Sequence, residues 1–566
     1  TSTSSHPSTS TSSHPPTSTA RNPHHHVIIR ATRFTCVCVW CRLCLCCVYV
    51  CRLCVCVCVC VRFLGFCLGI ASVLAIPSLP FDDEIKAEDI FVHLRALQAV
   101  ADKHGSRAVA TGYNDSAAYV LQQLHEHTNY NIRTQPFTVP IFDEVSPPTL
   151  TLLGFNPPLE LERCSMRTGW QHYEQGCDYA GVRYGGSGRH DVTTTVTHVG
   201  DGCDPAAWTK FAKGTIALIV TGGCEYYDKA VAAEKAGAVG VIFYNPSGTP
   251  GFPGGRVFNS DSYQEGDTIP SIPCIGVTHA IGILLQQEQN ADAQVRLETD
   301  TTITVQHTFN IIVETASGDD DHVAMIGAHL DGVPEGPGIN DNGSGTSTVL
   351  AIALRLANRR WRNKIRFAWW GAEEVGLIGS RFYVRNLLQT DPRQLDQHAL
   401  YLNFDMEASP NFIRLIYNGS EAEHAQAGSE ALMHMFEDHF RTAGLSYALT
   451  SMGGGSDFLP FILAGIPSSG LATGASGIKS IEERGAHGGL ANTQMDPCYH
   501  APCDSVDNVS EQCVTEAAAA AIDVLVHVAE QDTTTLGQRR PVDVAASLNR
   551  LDQPRSPVTC LSDEEH

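Results

Sequence analysis

Five short stretches of this chain hold the residue types that bind cations and move protons. Gly327-Ala328-His329-Leu330-Asp331 sets an imidazole two residues before a carboxylate. Residues at that spacing point to one side of an extended chain, and a metal-binding histidine usually passes its second N–H to such a carboxylate. Gly338-Ile339-Asn340-Asp341-Asn342-Gly343-Ser344-Gly345 holds an acid in a loop that can curl back over the same strand end. Gly371-Ala372-Glu373-Glu374 offers two acids whose side chains diverge, so one could ligate while the other acts as a base toward a water. Asn403-Phe404-Asp405-Met406 adds a further acid. Cys498-Tyr499-His500-Ala501-Pro502-Cys503 presents a tyrosine and a second histidine in a loop that a disulfide would stiffen. Taken singly these are a structural histidine, a helix-capping loop and a charged turn. Taken together, His329, Asp341, Glu374, Asp405 and His500 form the nitrogen and oxygen donor set that suits paired zinc.

The elements that must position them are readable from apolar patterning. Residues 322–328, 364–370 and 399–404 are apolar strands, each followed at once by ionisable residues, and 344–358 is a helix. Strands alternating with amphipathic helices over 305–528 predict an α/β fold with a mainly parallel sheet flanked by helices. Sites in such sheets gather beyond the carboxyl ends of the strands. Upstream, Ile90, Leu94, Leu97 and Val100 line one helix, and Tyr119, Leu121 and Leu124 belong to a second that Asn114 or Ser116 could cap. Residues 131–153 read as a strand pair broken at Pro147-Pro148. Residues 190–290 have another texture, with short apolar strands at 214–220, 239–244 and 272–277 and a helix at 229–236 ending at Gly237: a small β-rich domain.

Composition bounds these readings. The chain has 566 residues, 43% of them apolar and 17% charged, which is globular and long enough for two or three domains. A net charge of -23 argues against nucleic acid as a partner, since phosphates need a basic face. Of 21 cysteines, twelve lie between Cys36 and Cys67; the other nine are sparse, as in a secreted protein with a few disulfides. Residues 34–61 are almost all Val, Cys, Leu and Arg and read as a membrane span, a metal-thiolate tract or translated repetitive DNA. Arg62, the apolar run 63–74 and Val73-Leu74-Ala75 lay out a secretory signal peptide, with a mature chain from near Ile76. If residues 34–75 were instead an uncleaved anchor, the protein would meet a membrane.

The motifs GAHLD, GPGINDNGSG, GAEEVGLIGS, NFDM, GGSDFLPF and CYHAPCDS resemble the M28 family of zinc peptidases, in particular its secreted and vacuolar aminopeptidases, over about residues 84–150 and 305–530. GTIALIVTGGC, KAVAAEKAGAVGVIFYN and IPCIGV are similar to a protease-associated (PA) domain. The resemblance implies a zinc exopeptidase of phosphorylase/hydrolase-like fold with an inserted β-rich PA domain. The divisions expected are a disordered low-complexity segment 1–33, the Cys-rich tract and signal 34–75, a first peptidase part 76–155, the PA-like domain and its flanks 156–304, the catalytic domain 305–532 and a tail 533–566 with a possible helix. It further implies two Zn2+ per chain, one on His329 and Asp405, one on Glu374 and His500, with Asp341 bridging. Glu373 would be the general base toward a metal-bridged water, Asp331 would orient His329, and Tyr499 would stabilise the developing oxyanion. The substrates would be peptides or proteins with a free N-terminus. The peptide bond after the bridging Asp341 is expected to be cis.

Met406, Gly455 and Ala472 are implied to border the substrate pocket. Some bacterial relatives carry Arg at the position of Gly455 and an aromatic residue at that of Ala472, so a roomier first subsite is expected here. Expected disulfides are Cys498–Cys503, Cys203–Cys224 and Cys164–Cys177. Sequons at Asn114, Asn342, Asn418 and Asn508 suggest a glycoprotein, with Asn342 unmodified. The protein is expected outside the cell, or in a vacuolar or lysosomal lumen. Competing functions are a carboxypeptidase or glutaminyl cyclase of the same fold, and a receptor-like relative without metals.

Overall fold

Parity along three apolar strands decides the architecture. In Asp319–His329, Ala324, Ile326 and Ala328 pack on one face of the sheet and Met325 on the other. In Asn363–Trp370, Ile365, Phe367 and Trp369 oppose Ala368 and Trp370; in His398–Phe404, Leu400, Leu402 and Phe404 oppose Tyr401. Successive side chains leave opposite faces of a strand, so strands apolar at both parities need cover on both sides. Helices Ala87–His104, Tyr113–His127, Gly345–Arg355, Gln426–Ala443 and Glu511–Glu530 cover the first face. Ile378–Thr390 and Leu459–Leu463 cover the second. This is the expected α/β fold with a mainly parallel sheet flanked by helices. The computed structural model describes residues 84–153, 159–161, 163, 178–248, 252–253, 256–258, 269–288, 294–453, 455–533 and 541–552. The readings for residues 1–75 and the pairing of Cys164 with Cys177 lie outside them.

At the centre of a 10-stranded sheet, Asp319–His329 runs parallel to Asn363–Trp370 on one side and to His398–Phe404 on the other. Ser468–Ala472 continues the parallel run beyond His398–Phe404. Beyond Asn363–Trp370 the sheet turns antiparallel through Gln294–Glu314 and Asn131–Leu153. Residues 131–153 are therefore one long strand rather than the expected pair. Pro147 and Pro148 fall within the register shift between Ser146 and Thr149, next to another between Glu144 and Ser146, a bulge and not a turn. Among the described residues, the far side of this strand has no strand partner before Thr151, an edge position that tolerates proline's missing N–H.

The inserted region has its own five-stranded sheet, with Ile216–Val220, Gly240–Tyr244 and Cys274–Val277 in parallel and helices Tyr226–Ala236 and His279–Glu288 beside them. Gly237 ends the first of these helices at φ 92, as its position predicts. The expected boundary at 304/305 falls inside Gln294–Glu314, which pairs with Gly188–Thr194 at one end and with Asn363–Trp370 at the other. A strand that hydrogen-bonds in both regions is shared by them, so the boundary lies within one element and not between two.

One smaller expectation changes. The second helix starts at Tyr113 with Gly112 as its N-cap; Asn114 is exposed in the first turn and Ser116 Oγ is buried without a partner. Glycine is needed at 112 because a Cβ there would lie 2.4 Å from the Ser106 carbonyl oxygen. The tail after residue 532 carries the helix that its reading allows. Helix Val544–Asp552 docks with Leu551 fully buried, and Arg385 pairs with Asp552 at 2.6 Å.

Candidate metal centre

The strand ends bring the five candidate ligands into one cluster. His329 is the last residue of the central strand; Glu373, Glu374 and Asp405 follow the two strands beside it. His329 Nε2 lies 3.2 Å from Asp405 Oδ1 and 3.3 Å from Asp341 Oδ1. His500 Nε2 lies 2.9 Å from Asp341 Oδ2 and 3.1 Å from Glu374 Oε2. Asp341 thus turns one carboxylate oxygen toward each histidine. Glu373 Oε2 stands 3.9 Å from His329 Nε2, close to the cluster but outside its shortest contacts.

The local backbone explains these placements. Asp331 is fully buried and its oxygens accept the main-chain N–H groups of Glu373 (3.1 Å) and Glu374 (3.3 Å). Its Oδ1 is 3.8 Å from His329 Nδ1, whose hydrogen-bond contact is to the Asp331 carbonyl at 3.2 Å. Asp331 therefore holds the double-glutamate turn more directly than it holds the imidazole. Ala372, Met406 and His500 adopt φ values of 60, 58 and 54. Left-handed backbone at non-glycine residues costs of order 1–3 kcal/mol each and persists where surrounding structure enforces it. Here it flanks or includes three of the site's segments. The Asp341-Asn342 bond is cis, as expected. Asn342 is fully buried, its Nδ2 donating to Phe404 O and its Oδ1 accepting from Gly345 and Met406, which leaves no place for a glycan.

Cys498 and Cys503 form a disulfide, and the rings of Tyr499 and His500 stack at 3.8 Å. Asp504, just beyond the loop, accepts the N–H groups of Asn340 (2.8 Å) and Asp341 (3.0 Å), tying the two ligand loops together. Cys203 and Cys224 are also bonded, while Cys274 and Cys513 are free and buried. Of the candidate pocket residues, Met406 and Ala472 are nearly buried and Gly455 is exposed.

Several supporting residues carried no sequence signal of their own. Ser456 Oγ donates to Asp405 Oδ2, and Asn340 Nδ2 donates to Asp496 at 2.6 Å. Both stand in motifs already noted, GGSDFLPF and GPGINDNGSG. Arg107 does not; it is fully buried and donates to carbonyls on either side of the site. The insert also reaches this turn: Arg256 donates to Val375 O, and Tyr184 and Phe258 pack with Ala372 and Ile378.

The cluster carries more buried acid than its histidines can balance. Burial, reinforced by Asp341, pushes the Glu374 carboxyl up to about 7, against the pull of His500. Burial pushes Glu373 well above the usual range, opposed by His329 and reinforced by Asp457. Burial likewise lifts Asp457 to about 7, against the pull of His329 and of Ser380. Burial disfavours the charged imidazoles, yet nearby carboxylates outweigh it and hold both His329 and His500 well above the usual value. Burial also keeps the Tyr499 phenol protonated well past its usual range, helped by Asp341 and Glu374. Unbalanced negative charge, an unpartnered Glu374 Oε1, and donor atoms of His329, Asp341 and Glu374 within 4.8 Å of one another fit a cation such as zinc.

A helix-flanked sheet whose parallel strands end in a histidine and carboxylates, with a second histidine brought in by a loop, defines a candidate cation centre. Residues 310–525 match the model of peptidase family M28, and residues 192–285 match the PA domain. An aminopeptidase of Pseudomonas aeruginosa strain UCBPP-PA14 is 36% identical over 446 residues, covering 76% of this chain and 78% of that protein. Among solved structures, an aminopeptidase from Aneurinibacillus sp. strain AM-1 superposes with a TM-score of 0.58 at 22% identity, covering 81% of this chain and 96% of that one. A zinc aminopeptidase from Bacillus subtilis gives 0.51 at 24% identity, covering 82% and 99%. The chain belongs to peptidase family M28, and it carries a PA domain between the parts of its catalytic sheet.

Proposed function

We propose that this protein is a two-zinc aminopeptidase that removes N-terminal residues from peptides and proteins. The observation that carries the reading is Asp341, whose two oxygens face separate histidine–carboxylate pairs. His329 with Asp405 would hold one ion and His500 with Glu374 the other. Bound zinc supplies Lewis acidity and makes a water nucleophilic near neutral pH. Glu373, 3.9 Å from His329 Nε2 and outside the shortest contacts of the cluster, takes the proton of the attacking water and returns it to the leaving amine. Tyr499, kept protonated, donates to the carbonyl oxygen as negative charge develops there. Asp331 fixes Glu373 and Glu374 through their main-chain N–H groups. A free substrate amine fits beside Glu373 and Asp405, which favours exopeptidase action. Two disulfides suit an extracellular, vacuolar or lysosomal setting.

The test is zinc stoichiometry together with hydrolysis of aminoacyl-nitroanilides and their N-blocked counterparts. Two zinc per chain and cleavage of the free-amine substrates alone are expected. Equal cleavage of blocked substrates would overturn the aminopeptidase assignment, and one zinc per chain would point to a cyclase.

A further inference from the structure

Arg107 lies in the turn between the first two helices, far in sequence from every candidate ligand, and is fully buried. Its Nη1 donates to Leu330 O at 2.5 Å and its Nε to Pro337 O at 3.0 Å. Its Nη2 donates to Gly338 O and, at 3.5 Å, to Asp341 O. Leu330 separates His329 from Asp331, and Gly338 opens the loop that bears Asp341. One planar group therefore spans the strand end with the first histidine and the loop with the shared carboxylate. Asp504, Asp331, Asp341 and Glu374 lie near enough for their charge to act on it. Room for the fork comes from glycine: a Cβ on Gly338 would stand 3.1 Å from Arg107 Nη2 and 2.5 Å from Asp341 O.

We propose that Arg107 is a positioning residue for the metal centre, one that sets the spacing of His329 and Asp341 before any ion arrives. The inference rests on the zinc reading above. The fork makes this possible, because four carbonyls in different directions match a rigid guanidinium and not the point charge of an ammonium. Charge alone is therefore insufficient, and lysine should not substitute. Partners that orient ligands typically govern metal affinity by about 10- to 100-fold.

The test compares Arg107→Lys with Leu94→Ala, a core truncation in the adjoining helix, both in the full chain. Zinc affinity is read by competition with a chromogenic chelator, and stability from melting of the metal-free proteins. Arg107→Lys is expected to bind zinc at least about 10-fold more weakly, while Leu94→Ala keeps its affinity within about two-fold whatever its melting point. Unchanged affinity in Arg107→Lys, or affinity that tracks stability in both variants, overturns the proposal. If Arg107→Lys is unfolded without metal, zinc is titrated against circular dichroism. Recovery only at about 10-fold higher free zinc supports the proposal, and no recovery at any concentration assigns Arg107 to the fold alone. An unsubstituted chain that binds no zinc overturns the metal reading itself, and this proposal with it.

Discussion

The catalytic sheet and the inserted sheet share a plan and differ in what stands at their strand ends. Each has parallel strands side by side with helices packed against them. In the catalytic sheet the strands end in His329, Glu373-Glu374 and Asp405, with buried acid left over. In the insert, Ile216–Val220 and Gly240–Tyr244 are followed by Thr221 and Asn245. Thr221 Oγ1 donates to Asn245 Oδ1 at 3.0 Å, and the Asn245 carbonyl contacts His279 Nδ1 at 2.8 Å. These groups satisfy one another. Strand ends of parallel sheets offer a location; uncompensated charge there is what gives the location something to do.

The most severe way to test that contrast is to remove the proposed base. Glu373→Gln should lower kcat by about 10²- to 10⁴-fold while zinc content by elemental analysis stays the same. Loss of zinc with activity would instead make Glu373 a ligand.

The two disulfides sharpen the comparison. Cys203 and Cys224 are 21 residues apart, Cys498 and Cys503 only 5. Replacing the first pair by serine should cost about 3 kcal/mol of stability and replacing the second about 2. Yet kcat/KM should fall about 10-fold or more in the second case alone, because only that loop carries Tyr499 and His500. Denaturant melts and nitroanilide kinetics separate the two effects.

Stability of the metal-free protein should depend on pH through the catalytic half. Glu374 rises from 4.5 to about 7 on folding, so the native state holds its proton where the unfolded chain has lost it. That contribution is fully present below pH 4.5 and lost as pH climbs through about 7. His329 and His500, held above their usual value, act in the same direction. Thermal melts in chelator should show a decline of the order of 3 kcal/mol across this window, largely abolished by zinc. A flat profile in chelator would mean that the surplus charge is compensated by other means. The smallest effect belongs to the insert: Thr221→Ala should cost about 1 kcal/mol and leave kcat/KM within two-fold.

Much of this was legible because the chemistry is written in side chains. An apolar strand announces its own end, and His329, Glu373, Glu374 and Asp405 stand there in plain view. Asp504 and Ser456 lay inside recognised motifs, but nothing in their type separates a ligand from its support. Arg107 was not legible, since its partners are carbonyl oxygens, which every residue has. Residues 131–153 misled for a related reason: Pro147-Pro148 signals a turn locally, and only the partner strand 294–314 makes it a bulge.

That long pair of strands has a further consequence for anyone wishing to cut the molecule. Phe142 lies opposite Ile303, so a short turn joining those positions could replace everything between them without breaking the register. By connectivity the insert is a detachable module. By packing it is not, because Tyr184 and Phe258 lean on Ala372 and Ile378, on either side of the turn that bears Glu373. A minimal enzyme made by that excision would need new apolar cover sewn over the scar, or it would expose the back of its own active site.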